Sequence, residues 1–253
     1  MTDGLLVMKF GGTSVGSAER MKAACDLIAA EAARRPVLAV VSAMSKITDL
    51  LLDTTRHAEG DDQARLDNNL RKLEARHFEA AAGLVPPPER ERVRGKIEEI
   101  VSEFRRIVNG IQMLGHRPPR TVDEAVAVGE RLSALLVTEH LKSRGIAAEA
   151  VNAAEVIVTD AVFNNASPLM EATEKKANER LMPLLRRGQI PIVTGFNGAT
   201  ADGRPTTLGR GGSDYSVDVQ HHALRVSPSH RRQDSASAAL IIPRATACAS
   251  VTF

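Results

Sequence analysis

Aromatic residues and cysteine are scarce in this sequence. It has no Trp, one Tyr and six Phe among 253 residues, although 43% of its residues are hydrophobic. Aliphatic side chains must therefore fill the core. The two cysteines, Cys25 and Cys248, are too few and too far apart for a disulfide framework or a zinc site. This cysteine content favours a reducing compartment, and we predict a cytoplasmic protein.

Long hydrophobic runs are also absent, and the charges nearly balance. No segment reaches the roughly 20 apolar residues that a membrane-spanning helix needs, and the N-terminus lacks the pattern of a secretory signal. We therefore expect no membrane partner. The formal net charge is +2, with 33 Lys and Arg against 31 Asp and Glu, so the sequence predicts no nucleic-acid surface.

Short apolar runs alternate with longer segments of helical periodicity. This alternation is typical of α/β proteins, in which helices cover both faces of a mostly parallel sheet. We therefore predict an α/β fold with that arrangement. The predicted strands are residues 5–10, 37–42, 147–151, 156–158 and 190–194, and the predicted helices include residues 18–34, 125–144 and 167–187.

Residues 61–115 interrupt this alternation, because they contain no strand pattern. Apolar residues recur at helical spacing on both sides of three consecutive prolines, residues 86–88. We predict a helical hairpin inserted at about residues 61–115. The histidines nearby, His57, His77 and His116, have no spaced partners, which indicates structural or solvated side chains rather than metal ligands.

A glycine-rich segment follows the first predicted strand: Lys9-Phe10-Gly11-Gly12-Thr13-Ser14-Val15. Paired glycines before a helix let a ligand approach backbone N–H groups, and the helix dipole favours an anion there. Thr13, Ser14 or Ser17 is expected to cap this helix. With the charge of Lys9 beside it, the segment predicts a phosphate-binding site. The alternative is an ordinary tight turn with a solvated Lys9.

A second glycine-rich segment lies far downstream, at residues 207–216, with the sequence Thr-Leu-Gly-Arg-Gly-Gly-Ser-Asp-Tyr-Ser. Its arginine, Arg210, has a planar guanidinium that matches a carboxylate through two parallel hydrogen bonds. The segment therefore predicts a flexible loop that binds a carboxylate. The alternative is a surface loop with a solvated pair between Arg210 and Asp214.

Three further segments lie between these two: Val-Ser-Ala-Met-Ser-Lys-Ile-Thr at residues 41–48, Val-Gly-Glu-Arg-Leu-Ser at 128–133 and Gly-Phe-Asn-Gly at 195–198. Together the five segments resemble, in the same order, the motifs of the aspartokinases of the amino acid kinase family. The Lys-Phe-Gly-Gly-Thr-Ser-Val form favours aspartokinases over members that act on acetylglutamate, glutamate or nucleoside monophosphates. The resemblance implies that residues 1–216 form an α/β/α sandwich of the amino acid kinase type.

Aspartokinases transfer the γ-phosphoryl group of ATP to the β-carboxylate of L-aspartate, the first step in the biosynthesis of lysine, threonine and methionine. The resemblance implies this activity, with ATP and L-aspartate as ligands and Mg²⁺ held by the nucleotide rather than by a protein site. It also implies two catalytic residues, Lys9 for the transferring phosphoryl group and Asp214 for orienting Lys9. The implied nucleotide-binding residues are Lys9, Phe10, Gly11, Gly12 and Ser14.

The resemblance also implies a pocket for the amino acid. The ammonium and the α-carboxylate of such a substrate match Glu130 and Arg210. Thr48 has an alternative role as a helix cap, and Phe196 has one as a core residue. Gly129, which precedes Glu130, is interpreted as allowing close approach of a ligand. The implied substrate-binding residues are Ser42, Thr48, Glu130, Phe196, Arg210 and Ser213.

The composition changes after Ser216, because residues 217–253 contain neither Lys nor Glu. Aspartokinases are expected to continue here with a nucleotide-binding segment and regulatory modules. We interpret the tail as out of frame or disordered, and the kinase domain as truncated. The chain as given is therefore expected to be a poor kinase. The resemblance is compatible with a homo-oligomer for full-length members and leaves the state of this chain open.

Two other functions remain as alternatives. A catalytically inactive fragment would keep only the aspartate pocket. A kinase for a different small amino acid would use the same two groups, since Glu130 and Arg210 match any α-amino acid. Binding of aspartate and ATP measured separately, together with a panel of amino acids, distinguishes these alternatives.

Overall fold

The computed structural model of the protein describes residues 4–209 and Leu224. Three of the predicted site residues, Arg210, Ser213 and Asp214, lie outside the described residues, as does the predicted tail apart from Leu224. The described elements are β1 (Leu6–Phe10), α1 (Ala18–Ala32), β2 (Val37–Val41), α2 (Ile47–Glu59), α3 (Gln63–Leu84), α4 (Pro87–Leu114), α5 (Pro119–Ser143), β3 (Ala148–Val151), β4 (Val158–Thr159), α6 (Met170–Arg186), β5 (Ile190–Thr194), β6 (Asn197–Thr200) and β7 (Pro205–Thr207).

A four-stranded sheet forms the centre of the fold. Its strand order is β1-β2-β5-β3, and every neighbouring pair is parallel. The register pairs Phe10 with Val41 and Val41 with Thr194, so β1, β2 and β5 end at the same edge of the sheet. The predicted parallel α/β sheet is confirmed, and that edge is where a ligand site is expected in such a sheet.

A smaller sheet of the order β4-β6-β7 is absent from the sequence-based prediction. β4 and β6 are parallel, whereas β6 and β7 are antiparallel. The predicted strand at residues 156–158 is wrong at its start, because Val156 closes the 3-10 turn Ala153–Glu155 and the strand begins at Val158. β6 and β7 contain Gly198 and Pro205, residues that are depleted in strands, so neither segment has a recognisable strand pattern.

Helices cover both faces of the central sheet, as predicted. Successive side chains of a strand point to opposite faces. Met8 and Phe10 of β1 pack with α1, α2 and α5 in one core. Val7 and Val40 pack with α6 on the other face. Because both faces are buried, these strands have continuous apolar sequences instead of alternating ones.

Two long helices, α3 and α4, occupy the segment of the predicted hairpin. They are separated at Val85 and Pro86, and Pro87 begins α4, where a proline loses no intrahelical hydrogen bond. Their apolar residues join the core that α2 and α5 share. That the pair is an insertion into the kinase domain stays a prediction. No helix within residues 4–209 is long and apolar enough to cross a membrane.

Two buried polar residues stabilise these helices. The Nδ1 atom of His77 lies 2.7 Å from the Leu73 carbonyl oxygen, and burial lowers the pKa of His77 to about 4, which marks it as a neutral structural histidine. The carboxylate of Glu139, on α5, accepts hydrogen bonds from Arg92 at 2.6 Å and from Lys96 at 2.7 Å, both on α4. Helix α5, which lines the site described below, is thereby fixed against α4.

Candidate active site

A cavity of about 490 Å³ opens at the edge of the sheet where β1, β2 and β5 end. The loop after β2 and the first turn of α2 form one side. Helix α5 forms the back, and the segments around β6 and β7 form the other side. The lining residues that matter below are Ser42, Thr48, Asp123, Glu130, Phe196 and Thr207.

The glycine-rich segment after β1 forms a turn of its own before α1. The N–H groups of Ser14 and Val15 both donate to the Gly11 carbonyl oxygen, at 2.8 and 3.2 Å. Helix α1 begins only at Ala18, and Ser17 is its N-cap, with the Ser17 hydroxyl accepting from the Arg20 N–H at 3.4 Å. The predicted start of the helix at residue 18 is confirmed, and Ser17 is the cap among the three candidates.

The glycine turn packs directly on the loop after β2. The Gly12 carbonyl oxygen accepts from both the hydroxyl and the N–H of Ser45, at 2.8 and 3.1 Å. The Ser42 N–H donates to the Phe10 carbonyl oxygen at 3.0 Å. A Cβ atom on Gly12 would lie only 2.8 Å from the Ala43 carbonyl oxygen. Gly12 is therefore required for contact between two loops, independently of any ligand.

Gly12→Ala is expected to lower the free energy of unfolding by about 1–3 kcal/mol, the usual range for overpacking. The atom that its Cβ would meet is backbone, so relief requires moving the whole loop. Gly11→Ala is the matched control, because no atom lies within 4 Å of a Cβ placed there. Denaturant titration of the two variants tests this, and equal destabilisation by both would contradict it.

Thr48 lies in the first turn of α2 and faces the cavity. The N-cap position of α2 belongs to Lys46, whose φ is +66° and whose side chain makes no capping hydrogen bond. The alternative role of Thr48 as the cap is therefore wrong. The left-handed conformation of Lys46 is uncommon for a residue with a side chain, and Lys46 lines the cavity together with Thr48.

Glu130 is buried in the cavity wall, with only 1% of its surface exposed. Its Oε2 atom accepts a hydrogen bond from the Phe196 N–H at 2.9 Å. Burial raises the pKa of Glu130 to about 8, while N–H groups of Phe196 and Gly195 and the positive charge of Lys9 act in the opposite direction. The structure thus brings Glu130, Phe196 and Lys9 together from segments that are distant in the sequence.

Gly129 allows close contact with another segment of the protein, whereas the sequence-based interpretation was contact with a ligand. A Cβ atom there would lie 2.9 Å from the Cβ of Ala43, 3.0 Å from Ile47 and 3.2 Å from Leu51. The close approach that this glycine allows is therefore between α5 and the β2–α2 segment. The interpretation that it leaves room for a ligand is wrong.

Asp123 belongs to the site but is absent from the sequence-based prediction. It is 1% exposed, its Oδ1 accepts from the Thr207 hydroxyl at 2.6 Å, and its Oδ2 accepts from the Asn164 N–H at 2.8 Å. Burial raises the pKa of Asp123, and these two hydrogen bonds oppose the rise. The sequence feature that could have identified Asp123 is its spacing from Glu130. This spacing places both carboxylates on one face of α5, about two turns apart.

The other predicted residues divide into two groups. Ser42 and Phe196 line the cavity together with Gly12, Thr48 and Glu130. Lys9, Phe10, Gly11 and Ser14 lie along the end of β1 and the glycine turn, where the Phe10 side chain is fully buried in the core and Ser14 is 2% exposed. Any contact of Phe10 with a nucleotide would therefore use its backbone. Within residues 4–209, no group of three His, Cys, Asp or Glu side chains is arranged to hold a metal ion.

Comparison with known proteins identifies aspartokinases among the relatives of this chain. Residues 4–218 match the sequence model of the amino acid kinase family. Lysine-sensitive aspartokinase 3 of Escherichia coli is 34% identical over 228 residues, which are 88% of this chain and 47% of that protein. Chloroplastic aspartokinase 1 of Arabidopsis thaliana is 35% identical over 223 residues, which are 86% of this chain and 38% of that protein.

Solved structures agree with these sequence matches. The crystal structure of E. coli aspartokinase III in complex with aspartate and ADP has a TM-score of 0.79 and 32% identity, over 87% of this chain and 47% of that one. A second structure of the same enzyme, in complex with lysine and aspartate, also has a TM-score of 0.79. The chain spans about half the length of these relatives or less. With the family model matched over most of its length, the chain belongs to the amino acid kinase family.

Proposed function

We propose that this protein is an aspartokinase, which transfers the γ-phosphoryl group of ATP to the β-carboxylate of L-aspartate. The observation that carries the proposal is the buried carboxylate of Glu130 in the cavity wall. Within residues 4–209 it accepts backbone hydrogen bonds and forms no ion pair. A buried carboxylate is unfavourable unless a cation compensates its charge, and the ammonium of an amino acid bound in the cavity would supply that compensation.

The reaction itself requires positioning and charge stabilisation rather than proton transfer. The β-carboxylate of aspartate has an ordinary pKa of about 3.9, so it is already ionised at neutral pH. Its oxygen forms the new bond to the γ-phosphorus, while the bond from that phosphorus to the bridging oxygen breaks and its electrons leave with ADP. The products are 4-phospho-L-aspartate and ADP, and no general base is needed. Lys9 would stabilise the charge on the transferring group.

The roles of the remaining residues follow from the chemistry of the two substrates. Ser42 and Thr48 line the same cavity as Glu130 and offer hydroxyl groups suited to the carboxylates of aspartate. The Phe196 ring would pack against its methylene group, and Arg210 and Ser213 would bind its α-carboxylate. We assign Asp214 to orienting Lys9. The glycine turn, with Gly11, Gly12 and Ser14, would adjoin the phosphates of ATP.

The proposal also covers the metal ion, the cellular location and the choice of substrates. Mg²⁺ would arrive with ATP and be held by its phosphate oxygens and by water molecules, as this ion usually is in kinases. A cytoplasmic location accords with the sparse cysteines. The choice of substrates is supported by the similar E. coli aspartokinase III, whose crystal structure is a complex with aspartate and ADP.

Calorimetric titration of the chain with L-aspartate and with succinate tests this function. Succinate has both carboxylates but no ammonium, so it is expected to bind at least ~100-fold more weakly, because a buried charge without its partner costs about 3–5 kcal/mol. Equal affinity for the two ligands would contradict the proposal. L-Glutamate bound more tightly than L-aspartate would favour a kinase for another amino acid. Aspartate binding without transfer of labelled phosphate from ATP would favour an inactive fragment.

A further inference from the structure

Two neighbouring threonines of β7 point to opposite faces of the small sheet. The Thr207 hydroxyl faces the cavity and donates to Asp123 at 2.6 Å. The Thr206 hydroxyl faces away and lies 2.7 Å from the hydroxyl of Thr159 on β4. Both are buried, at 4% and 0% exposed. The two side chains therefore offer the same chemistry and nearly the same burial, and differ in which partner they bind.

Residues 207–209 are held by further contacts on the cavity side. The Ala166 N–H donates to the Thr207 carbonyl oxygen at 2.8 Å, and the Leu208 N–H donates to the Phe196 carbonyl oxygen at 2.8 Å. Gly209 has a φ of +74° and packs so closely on Asn165 that a Cβ atom would lie 2.5 Å from its Oδ1. These contacts converge on the segment that immediately precedes Arg210 in the sequence.

Asp123 ties this segment to helix α5. One carboxylate oxygen holds Thr207, and the other holds the Asn164 N–H of the adjoining loop, so both oxygens act as acceptors toward the protein. An asparagine could keep both contacts only if the Thr207 hydroxyl reversed its role and accepted from the amide nitrogen, whereas a leucine of similar size could make neither contact. The carboxylate accepts both hydrogen bonds at once, which offsets the unfavourable burial of its charge.

We propose that Asp123 is a positioning residue for substrate binding: by holding Thr207 and Asn164 it fixes the part of the cavity wall that these two residues form. The inference rests on the proposed aspartate site. Asp123 lines the same cavity as Glu130, but its two oxygens are engaged by the protein, so it acts through Thr207 rather than by touching the substrate. Its effect should fall on the affinity for L-aspartate, and the affinity for ATP should change little.

Calorimetric titration of Asp123→Leu, Thr207→Val, Thr207→Ser and Thr206→Val with L-aspartate and ATP tests the proposal. Asp123→Leu and Thr207→Val are expected to weaken aspartate binding about tenfold, since each leaves a buried polar group without its partner. Thr207→Ser keeps the hydroxyl and should restore binding to within about twofold. Thr206→Val loses a hydroxyl on the other face and should leave aspartate affinity unchanged. Equal weakening by Thr206→Val and Thr207→Val would overturn the proposal.

Amide exchange of Asn164 provides a second readout that needs no ligand. The Asn164 N–H donates to Asp123, so its exchange should be at least ~10-fold faster in Asp123→Leu, which has no acceptor, than in Thr206→Val. If the wild-type chain does not bind aspartate, the proposed function fails, and the exchange at Asn164 alone decides whether Asp123 positions this loop. Wild-type exchange at Asn164 in Asp123→Leu would overturn the positioning role.

Discussion

Glu130→Gln is expected to weaken binding of L-aspartate by at least ~100-fold. The amide has nearly the same size and can still accept from the Phe196 N–H, so the variant removes the charge and keeps the local structure. Removing one partner of a buried ion pair costs about 3–5 kcal/mol, and ~1.4 kcal/mol corresponds to a factor of ten. Calorimetric titration measures the loss, and an unchanged dissociation constant would place the ammonium site elsewhere.

The same substitution is expected to stabilise the unliganded protein at neutral pH. Burial raises the pKa of Glu130 to about 8 from an ordinary value of 4.5, so the folded state favours the protonated carboxyl. The wild type must therefore lose stability as the pH rises from about 4.5 to 8, by up to ~1.4 kcal/mol for each pH unit. Gln cannot ionise, so Glu130→Gln should melt at a higher temperature than the wild type at about pH 7.5. Near pH 4.5 the two proteins should melt at the same temperature, because below this pH the wild-type carboxyl is protonated in both the folded and the unfolded state.

Glu139→Gln is the matched control on the same helix. Although burial alone would raise the pKa of Glu139, hydrogen bonds from Arg92 and Lys96 and their charges lower it. The ionised form therefore stabilises the fold above the ordinary pKa, and this stability is lost as the pH falls through the lowered value. Glu139→Gln should melt at a lower temperature than the wild type at about pH 7.5 and leave aspartate affinity unchanged. The same sign of melting shift in both variants would contradict this assignment.

Lys9→Met is expected to reduce the rate of phosphoryl transfer by about 10²-fold or more while aspartate affinity changes much less. A cation beside the transferring phosphoryl group acts mainly in the transition state, so its loss lowers kcat rather than binding of the amino acid. Transfer of labelled γ-phosphate from ATP to aspartate measures the rate. Retention of more than about a tenth of the wild-type rate would exclude Lys9 as the catalytic cation.

The pH dependence of aspartate binding provides a second test of the role of Lys9. The charge of Lys9 lowers the pKa of Glu130, so removing it should raise that pKa further. The pH at which aspartate binding strengthens should therefore move upward in Lys9→Met. Lys142→Met, on the exposed end of α5, is the control and should leave both the rate and this pH dependence unchanged.

Local sequence patterns were sufficient to predict the strands and helix boundaries that depend on residues close together in the sequence. Apolar runs predicted β1, β2 and β5, because a strand buried on both faces needs apolar residues along its length. The consecutive prolines separated α3 from α4, because a proline fits the first turn of a helix and disrupts its interior. The resemblance of the motifs to those of the aspartokinases identified Ser42, Thr48, Glu130 and Phe196, which the fold brings to one cavity.

Only the tertiary structure decided what these residues touch. Asp123 binds Thr207, although 84 positions separate them in the sequence, and no local periodicity encodes such a pair. Gly129 is a glycine because α5 crosses the β2–α2 segment there, a contact made by residues far away in the chain. The pKa of Glu130 likewise depends on burial by distant segments, since desolvation and hydrogen bonding exist only after the chain has folded. The family resemblance of the motifs named the candidate groups, and packing between distant segments determined their environment and hence their chemistry.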